Sequence, residues 1–300
     1  MTVLHFSRPA RYRPGTDAAT VSVPHRIGRG VAVLVLLVAG VGLAAVVPLL
    51  TAPAARGAVR RWSRGLLRAL GVRLTVTGRL PRRRALLVAN HVSWLDVLAL
   101  QATAPARLVA EREVRSRSLL GLLARAARSV TVDRSRPRNL PTTVGEVTAA
   151  LRAGDPVGVF PEGTTWCSRG GGADRGASRP VDGFRPAMFQ AAIDTGAPVV
   201  PLHIGYHLAG GGSDVAALLG DHTLWRSARR VLAARGLVVA VTVTAPLHPA
   251  ADADRRALAR IAETAVRSAP STHPVPVRSH RVGSQGVFRN PSASPQARPA

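Results

Sequence analysis

The chain has 300 residues, 46% of them hydrophobic, with 41 cationic side chains against 16 acidic ones for a formal charge of +25, which is ample material for one large domain with appendages. Every cationic residue is arginine, so a Walker phosphate loop, Schiff-base chemistry and a lysine general base are excluded. Cys167 is the single cysteine, which excludes intramolecular disulfides and multi-cysteine zinc or iron–sulfur sites.

In chain order, residues 1–30 read as a flexible basic arm, since the first 26 are rich in Pro, Arg, Thr and Ser without sustained periodicity. From Gly30 to Ala55 no residue is charged, and residues 31–50 alone supply the roughly 20 apolar positions needed to cross a bilayer. This is a membrane segment. Gly40-Val41-Gly42-Leu43-Ala44-Ala45 fits a dinucleotide-binding pattern, but no acid occurs between Asp17 and Asp96 to hold a ribose. Ala52-Pro53-Ala54 resembles a signal-cleavage site, behind an apolar core too long for a signal. Gly40, Gly42 and Pro48 leave a re-entrant hairpin open beside a full span. Arginines flank the segment on both sides, which does not choose an orientation and favours both ends being cytoplasmic. The expected location is the cell membrane, with the following domain facing the cytoplasm.

Residues 54–70 form a basic amphipathic helix, with Ala55, Val59, Trp62, Leu66 and Leu70 on one face and Arg56, Arg60, Arg64 and Arg68 on another. Beside a membrane segment, such a helix is expected to lie on anionic lipid. Residues 71–269 then alternate strand and helix. Strands are predicted near 72–78, 85–90, 106–110, 129–133, 156–160, 198–205 and 237–244, and helices near 93–102, 117–127, 139–153, 184–195, 216–235 and 251–268. That alternation predicts an α/β domain, a mixed and largely parallel sheet flanked by helices. Residues 270–300, rich in Pro, Ser, Arg and His and lacking acids, read as a disordered tail. Outside both termini 32 arginines still face 15 acids, a surface suited to phospholipid headgroups, nucleic acid or phosphorylated substrates.

Chemistry concentrates in Asn90-His91-Val92-Ser93-Trp94-Leu95-Asp96, between the buried run Ala85 to Ala89 and a helix. A carboxylate one turn into the helix reaches back to an imidazole at the strand end, and the other ring nitrogen is then a proton acceptor suited to general-base work. Ser93-x-x-Asp96 is equally a capping box, so the spacing alone leaves cap and dyad open. A second apolar strand, Pro156 to Phe160, runs straight into Pro161-Glu162-Gly163-Thr164, roughly 70 residues downstream.

Asn-His-x-x-x-x-Asp followed by Phe-Pro-Glu-Gly-Thr resembles the glycerolipid acyltransferase family that includes the lysophosphatidic acid acyltransferases. Ser129-Val130-Thr131-Val132-Asp133-Arg134 and Val199-Val200-Pro201-Leu202 resemble two further blocks of that family, and the resemblance covers roughly residues 70–245. It implies His91 as general base, Asp96 as its orienting partner, and Arg134, Glu162, Gly163 and Thr164 as acceptor-binding residues. Arg134 would meet a phosphate. The implied reaction moves an acyl group from a coenzyme A or acyl carrier protein thioester to a lysophospholipid, most simply 1-acylglycerol-3-phosphate, on an anionic membrane. No cofactor, metal or nucleic acid is expected. Phe184-Arg185-Pro186-Ala187 departs from the family's Phe-Lys-x-Gly-Ala, with arginine for lysine and no glycine. Thr165 to Gly183, which contains Gly170-Gly171-Gly172, reads as a loop. His203 and His207 are read in a strand and its exit loop, where their spacing makes no helical metal pair. The chain has no Gly-x-Ser-x-Gly elbow, which counts against a lipase-type hydrolase.

Overall fold

The computed structural model describes residues 19–81, 84–111, 130–132, 137–162, 183–208, 211–213, 215–216 and 224–269. Two long helices come first. Helix α1 (Val23–Val46) starts at a Pro24 whose fixed φ suits a first turn. Pro48 then tightens the chain into a 3-10 turn, Val47–Leu49. Helix α2 (Ala52–Ala69) follows and ends where Gly71 takes φ 76° and Val72 N–H donates to Leu67 O, a left-handed C-terminal cap that favours glycine.

Among the described residues eight strands make one sheet: β1 (Arg73–Thr77), β2 (Leu86–Ala89), β3 (Arg107–Glu111), β4 (Val130–Val132), β5 (Val157–Val159), β6 (Val199–Leu208), β7 (Gly211–Gly212) and β8 (Val238–Val243). Their order is β1-β8-β6-β2-β5-β3-β4, with β7 paired to β6. Strands β6, β2, β5, β3 and β4 run parallel. Strand β8 is antiparallel to β6, and β1 parallel to β8. The helices between and around them are α3 (Leu95–Thr103), α4 (Leu140–Arg152), α5 (Ala187–Thr195), α6 (Leu224–Ala233) and α7 (Arg255–Ser268).

Each described strand coincides with a predicted one apart from the short β7 hairpin, and the mixed, largely parallel sheet is as expected. The predicted helix 117–127, the arm's residues 1–18 and the tail beyond Ala269 lie outside the described residues.

Strand β2 is central and buried at all four positions, as a strand covered on both faces must be. Alternation sends Leu87 and Ala89 to one core with Leu67, Leu95, Leu100 and Val231. Leu86 and Val88 go to another with Val147, Leu151, Phe189 and Leu258. Thus α2, α3 and α6 cover one face, and α4, α5 and α7 the other. Each buried leucine contributes about 1.5–3 kcal/mol. Gly158 of β5 is a packing requirement: a Cβ there would stand 2.8 Å from Leu108 Cδ2 and 2.9 Å from Leu100 Cδ2. Its absence lets α3 approach the sheet.

Two expectations are revised, at the start of α1 and at the end of β6. Helix α1 begins at Val23, inside the expected arm, with Pro24 in its first turn; it accommodates Arg29 because that guanidinium donates to Leu232 O and Ala234 O, both at 2.9 Å. Of the apolar face of α2, Leu66 and Leu70 turn into the interior, with Leu67 beside them, while Trp62 Nε1 donates to Leu36 O at 2.7 Å. Strand β6 runs on to Leu208, so His203 and His207 both lie in the strand; pairing with β8 as far as His207–Val238 extends it.

Candidate active site

The site forms at the carboxyl ends of β2 and β5, where parallel strands stop and side chains must take over from the backbone ladder. Asn90 does so directly. Its Nδ2 donates to Ile204 O at 2.9 Å and its Oδ1 accepts from Ile204 N at 2.8 Å, continuing the β2–β6 pairing by one residue. The chain then turns through residues 91–94 into α3.

Asp96, in the first turn of α3, is fully buried. Its Oδ2 accepts from Val92 N at 2.6 Å, Ser93 N at 2.7 Å and His91 Nδ1 at 2.9 Å. Its Oδ1 accepts from Tyr206 Oη at 2.5 Å. Ser93 Oγ accepts from Leu95 N at 3.3 Å and donates to Ala216 O at 2.6 Å. Only the Asp96 half of the capping box forms, and it shares Oδ2 with the His–Asp contact; Asp96 N donates to Ser93 O at 3.0 Å rather than to the Ser93 hydroxyl. Four donors thus converge on one fully buried side chain.

The imidazole of His91 keeps 18% of its surface exposed. One of its faces lies on Phe160, with ring centroids 4.3 Å apart and planes 22° from parallel. With Nδ1–H held by Asp96, Nε2 is the ring's proton acceptor. Glu162 approaches from the β5 end, its Oε2 accepting from His91 N at 3.2 Å. Burial pushes the Glu162 carboxyl above the usual carboxylate range, opposed by the His91 N–H and the charge of Arg267. Burial, followed by the neighbouring Asp96, pushes the Tyr206 phenol well up, which keeps it a proton donor.

The segment after the loop is tied to this edge. Arg185 N donates to Pro161 O at 3.0 Å, and Phe184 N donates to Glu263 Oε2 at 3.1 Å. Glu263 Oε1 also pairs with Arg267 at 2.6 Å. The exposed Arg185 thus sits on a segment fixed to the Glu162 turn through backbone, with α5 starting at Ala187 and no glycine required there.

Of the residues singled out from sequence, His91, Asp96 and Glu162 come together here, while Arg134, Gly163 and Thr164 lie outside the described residues, as does Cys167. His203 points to the opposite layer, its Nδ1 donating to Val266 O at 3.1 Å, and burial lowers its pKa. Among the described residues no group of three or more His, Cys, Asp or Glu side chains is placed to hold a metal ion. Sequence reasoning missed two contributors, Phe160 as the stacking partner of His91 and Tyr206 as a donor to Asp96.

The family model described as Acyltransferase matches residues 73–205, which include all three of the assembled residues. The chain is 31% identical over 213 residues to the 1-acyl-sn-glycerol-3-phosphate acyltransferase of Neisseria meningitidis serogroup B, covering 70% of this chain and 80% of that relative. It is 32% identical over 262 residues to the lyso-ornithine lipid O-acyltransferase of Pseudomonas aeruginosa, covering 84% and 96% respectively. Among solved structures it resembles the 1-acyl-sn-glycerophosphate (LPA) acyltransferase PlsC from Thermotoga maritima, with a TM-score of 0.53 over 80% of this chain and 95% of that one. At 20% identity that likeness speaks to fold alone.

Proposed function

The chain belongs to the acyltransferase family, and from that premise we propose that it moves a fatty acyl group from a thioester to the free hydroxyl of 1-acylglycerol-3-phosphate, producing phosphatidic acid. The observation that carries the reading is the 2.9 Å contact between His91 Nδ1 and a fully buried Asp96 carboxylate. His91 Nε2 takes the hydroxyl proton as the oxygen attacks the thioester carbonyl. Asp96 keeps the ring oriented and stabilises the imidazolium that forms. The C–S bond then breaks, and the departing thiolate takes the proton back from Nε2. General-base catalysis of this kind contributes typically 10²–10⁴-fold, and no enzyme nucleophile or added cofactor enters the balance.

Arg134, Glu162, Gly163 and Thr164 bind the acceptor in this reading, with the arginine on its phosphate and Glu162 accepting from a glycerol hydroxyl. The donor is acyl-coenzyme A or acyl carrier protein. The protein works at the cell membrane with its catalytic domain on the cytoplasmic side. The membrane location is supported by Val23, Ile27, Val31, Leu34, Val35 and Val38, exposed on the face of α1 turned away from the domain, on a helix long and apolar enough to cross a bilayer.

A second acceptor has support of its own. The Pseudomonas relative, a lyso-ornithine lipid acyltransferase, aligns over 96% of its length, so an amine-bearing lysolipid is the competing substrate. Competition between the two lysolipids for one acyl donor separates the readings. The reaction itself is tested by thiol release from acyl-coenzyme A, or from acyl carrier protein, with and without lysolipid. Acceptor-dependent release abolished by His91→Ala supports the assignment, and release that persists in the variant removes His91 as the base.

A further inference from the structure

The His91–Asp96 pair has a third member that its own motif does not contain. Among the described residues, Tyr206 is the donor that reaches Asp96 Oδ1, the oxygen turned away from the imidazole. We propose that Tyr206 is a positioning residue of the dyad, whose buried hydroxyl both fixes the Asp96 carboxylate and sets how strongly that carboxylate pulls on the His91 ring. This rests on His91 acting as the general base.

The geometry follows from the sheet. Leu202, Ile204 and Tyr206 alternate onto the face of β6 that packs against α3, so a phenol at position 206 reaches the first turn of α3 from across the core. Its placement depends on the part of β6 that outruns β2. The β2–β6 register ends at Ala89–Leu202, whereas β6 and β8 remain paired through Tyr206–Val239 and His207–Val238. The phenol is 6% exposed. The loop it meets is also anchored from α6, where Ser227 Oγ donates to Ala216 O and accepts from Trp94 Nε1. Neither Ser227 nor Trp94 bonds to Asp96, so the phenol is the element through which β6 acts on the carboxylate.

Removal of the hydroxyl leaves Oδ1 buried with one donor fewer. The negative charge then falls more heavily on the His91 N–H, and the ring keeps its proton to higher pH. The other charged groups facing the pair are Glu162, which meets the His91 backbone, and Arg267 of α7, which acts on Glu162. Both are untouched by a change at Tyr206, so a shift in the pH profile reports on the Asp96 carboxylate.

The test is the pH dependence of acceptor-dependent thiol release by the full chain in membranes. For Tyr206→Phe the expected results are a plateau kcat lower by roughly tenfold, KM for donor and acceptor within about twofold, and an acid limb displaced upward by about half a pH unit or more. Ser227→Ala, which loosens the same loop without touching Asp96, keeps the native limb. The chain has only two tyrosines, so biosynthetic incorporation of 3-fluorotyrosine in a Tyr12→Phe background gives a second probe. Its more acidic phenol is a stronger donor and moves the limb downward, even if Tyr206→Phe does not fold. Profiles of Tyr206→Phe and the fluorinated chain that superimpose on the native one overturn the proposal. His91→Ala separates the two ideas. If it stays active, the general-base reading fails and this one with it; if it is inactive while the Tyr206 profiles are native, only the role of Tyr206 fails.

Discussion

Asp96→Asn separates the charge of the carboxylate from its geometry. At the Oδ2 position three N–H groups converge from Val92, Ser93 and His91, at 2.6, 2.7 and 2.9 Å. Two of these are backbone and cannot turn away, so the amide oxygen of asparagine must occupy that place and its NH₂ must face Tyr206, whose hydroxyl rotates to accept. The ring then keeps its Nδ1–H tautomer, and what disappears is the negative charge beside the imidazolium. At about 4 Å between charge centres and an effective dielectric near 20, that attraction is about 4 kcal/mol. The retained neutral hydrogen bond offsets about 1 kcal/mol of it. The net loss of about 3 kcal/mol corresponds to a kcat lower by roughly 10²-fold. Initial rates at saturating lysolipid, with thermal unfolding measured in parallel, read both parts. A kcat within about threefold of native in a folded Asn variant would refute the argument that Asp96 acts through its charge.

Four further substitutions test the surrounding structure. Burial raises the Glu162 pKa in the folded chain, so the folded state holds that proton to higher pH than the unfolded state does. Stability therefore falls as pH rises from the unfolded pKa through the folded one, and the penalty is complete above it. Glu162→Gln, whose oxygen can still accept from His91 N, should flatten that slope in pH-dependent thermal melts without lowering neutral-pH stability, while acceptor KM rises by about tenfold. Gly158→Val forces a side chain against Leu100 and Leu108, with an expected loss of about 1–3 kcal/mol and a Tm lower by about 3–10 °C. Gly40→Val sets a Cβ 2.8 Å from the Trp62 ring, whereas Gly42 has nothing within 4 Å. Melts in detergent should show a loss of about 1–3 kcal/mol for the first and none for Gly42→Val.

The central sheet was legible because strands buried on both faces read as unbroken apolar runs, as residues 85–89 and 156–160 do. Partners remote in sequence were not. The start of α1 was hidden by Arg26 and Arg29, which break the apolar run, and Arg29 finds its acceptors more than 200 residues away. For α2 the amphipathic pattern identified an apolar stripe but could not say what would cover it, and Leu66 and Leu70 of that stripe went to the core. Tyr206 did leave a signal. It shares the core-facing register of β6 with Leu202 and Ile204, and a hydroxyl on that face needs a buried partner. The sequence could not name Asp96 as that partner, 110 residues earlier.

The choice between a helix cap and a catalytic pair, open on spacing alone, was a false one, and the reason bears on how such a site is held ready. A carboxylate that only oriented the histidine would be free to rotate whenever the ring moved. One that only capped the helix would have no cause to meet the imidazole. Here the backbone N–H groups of Val92 and Ser93 hold Oδ2 where the ring must find it, and their position is set by the turn out of β2. The local bonds that start α3 therefore also fix the proton-accepting edge of His91, so little reorganisation is needed when charge develops on the ring. Conserving charge without this turn, as by shifting the carboxylate one position along α3, would lose both functions together.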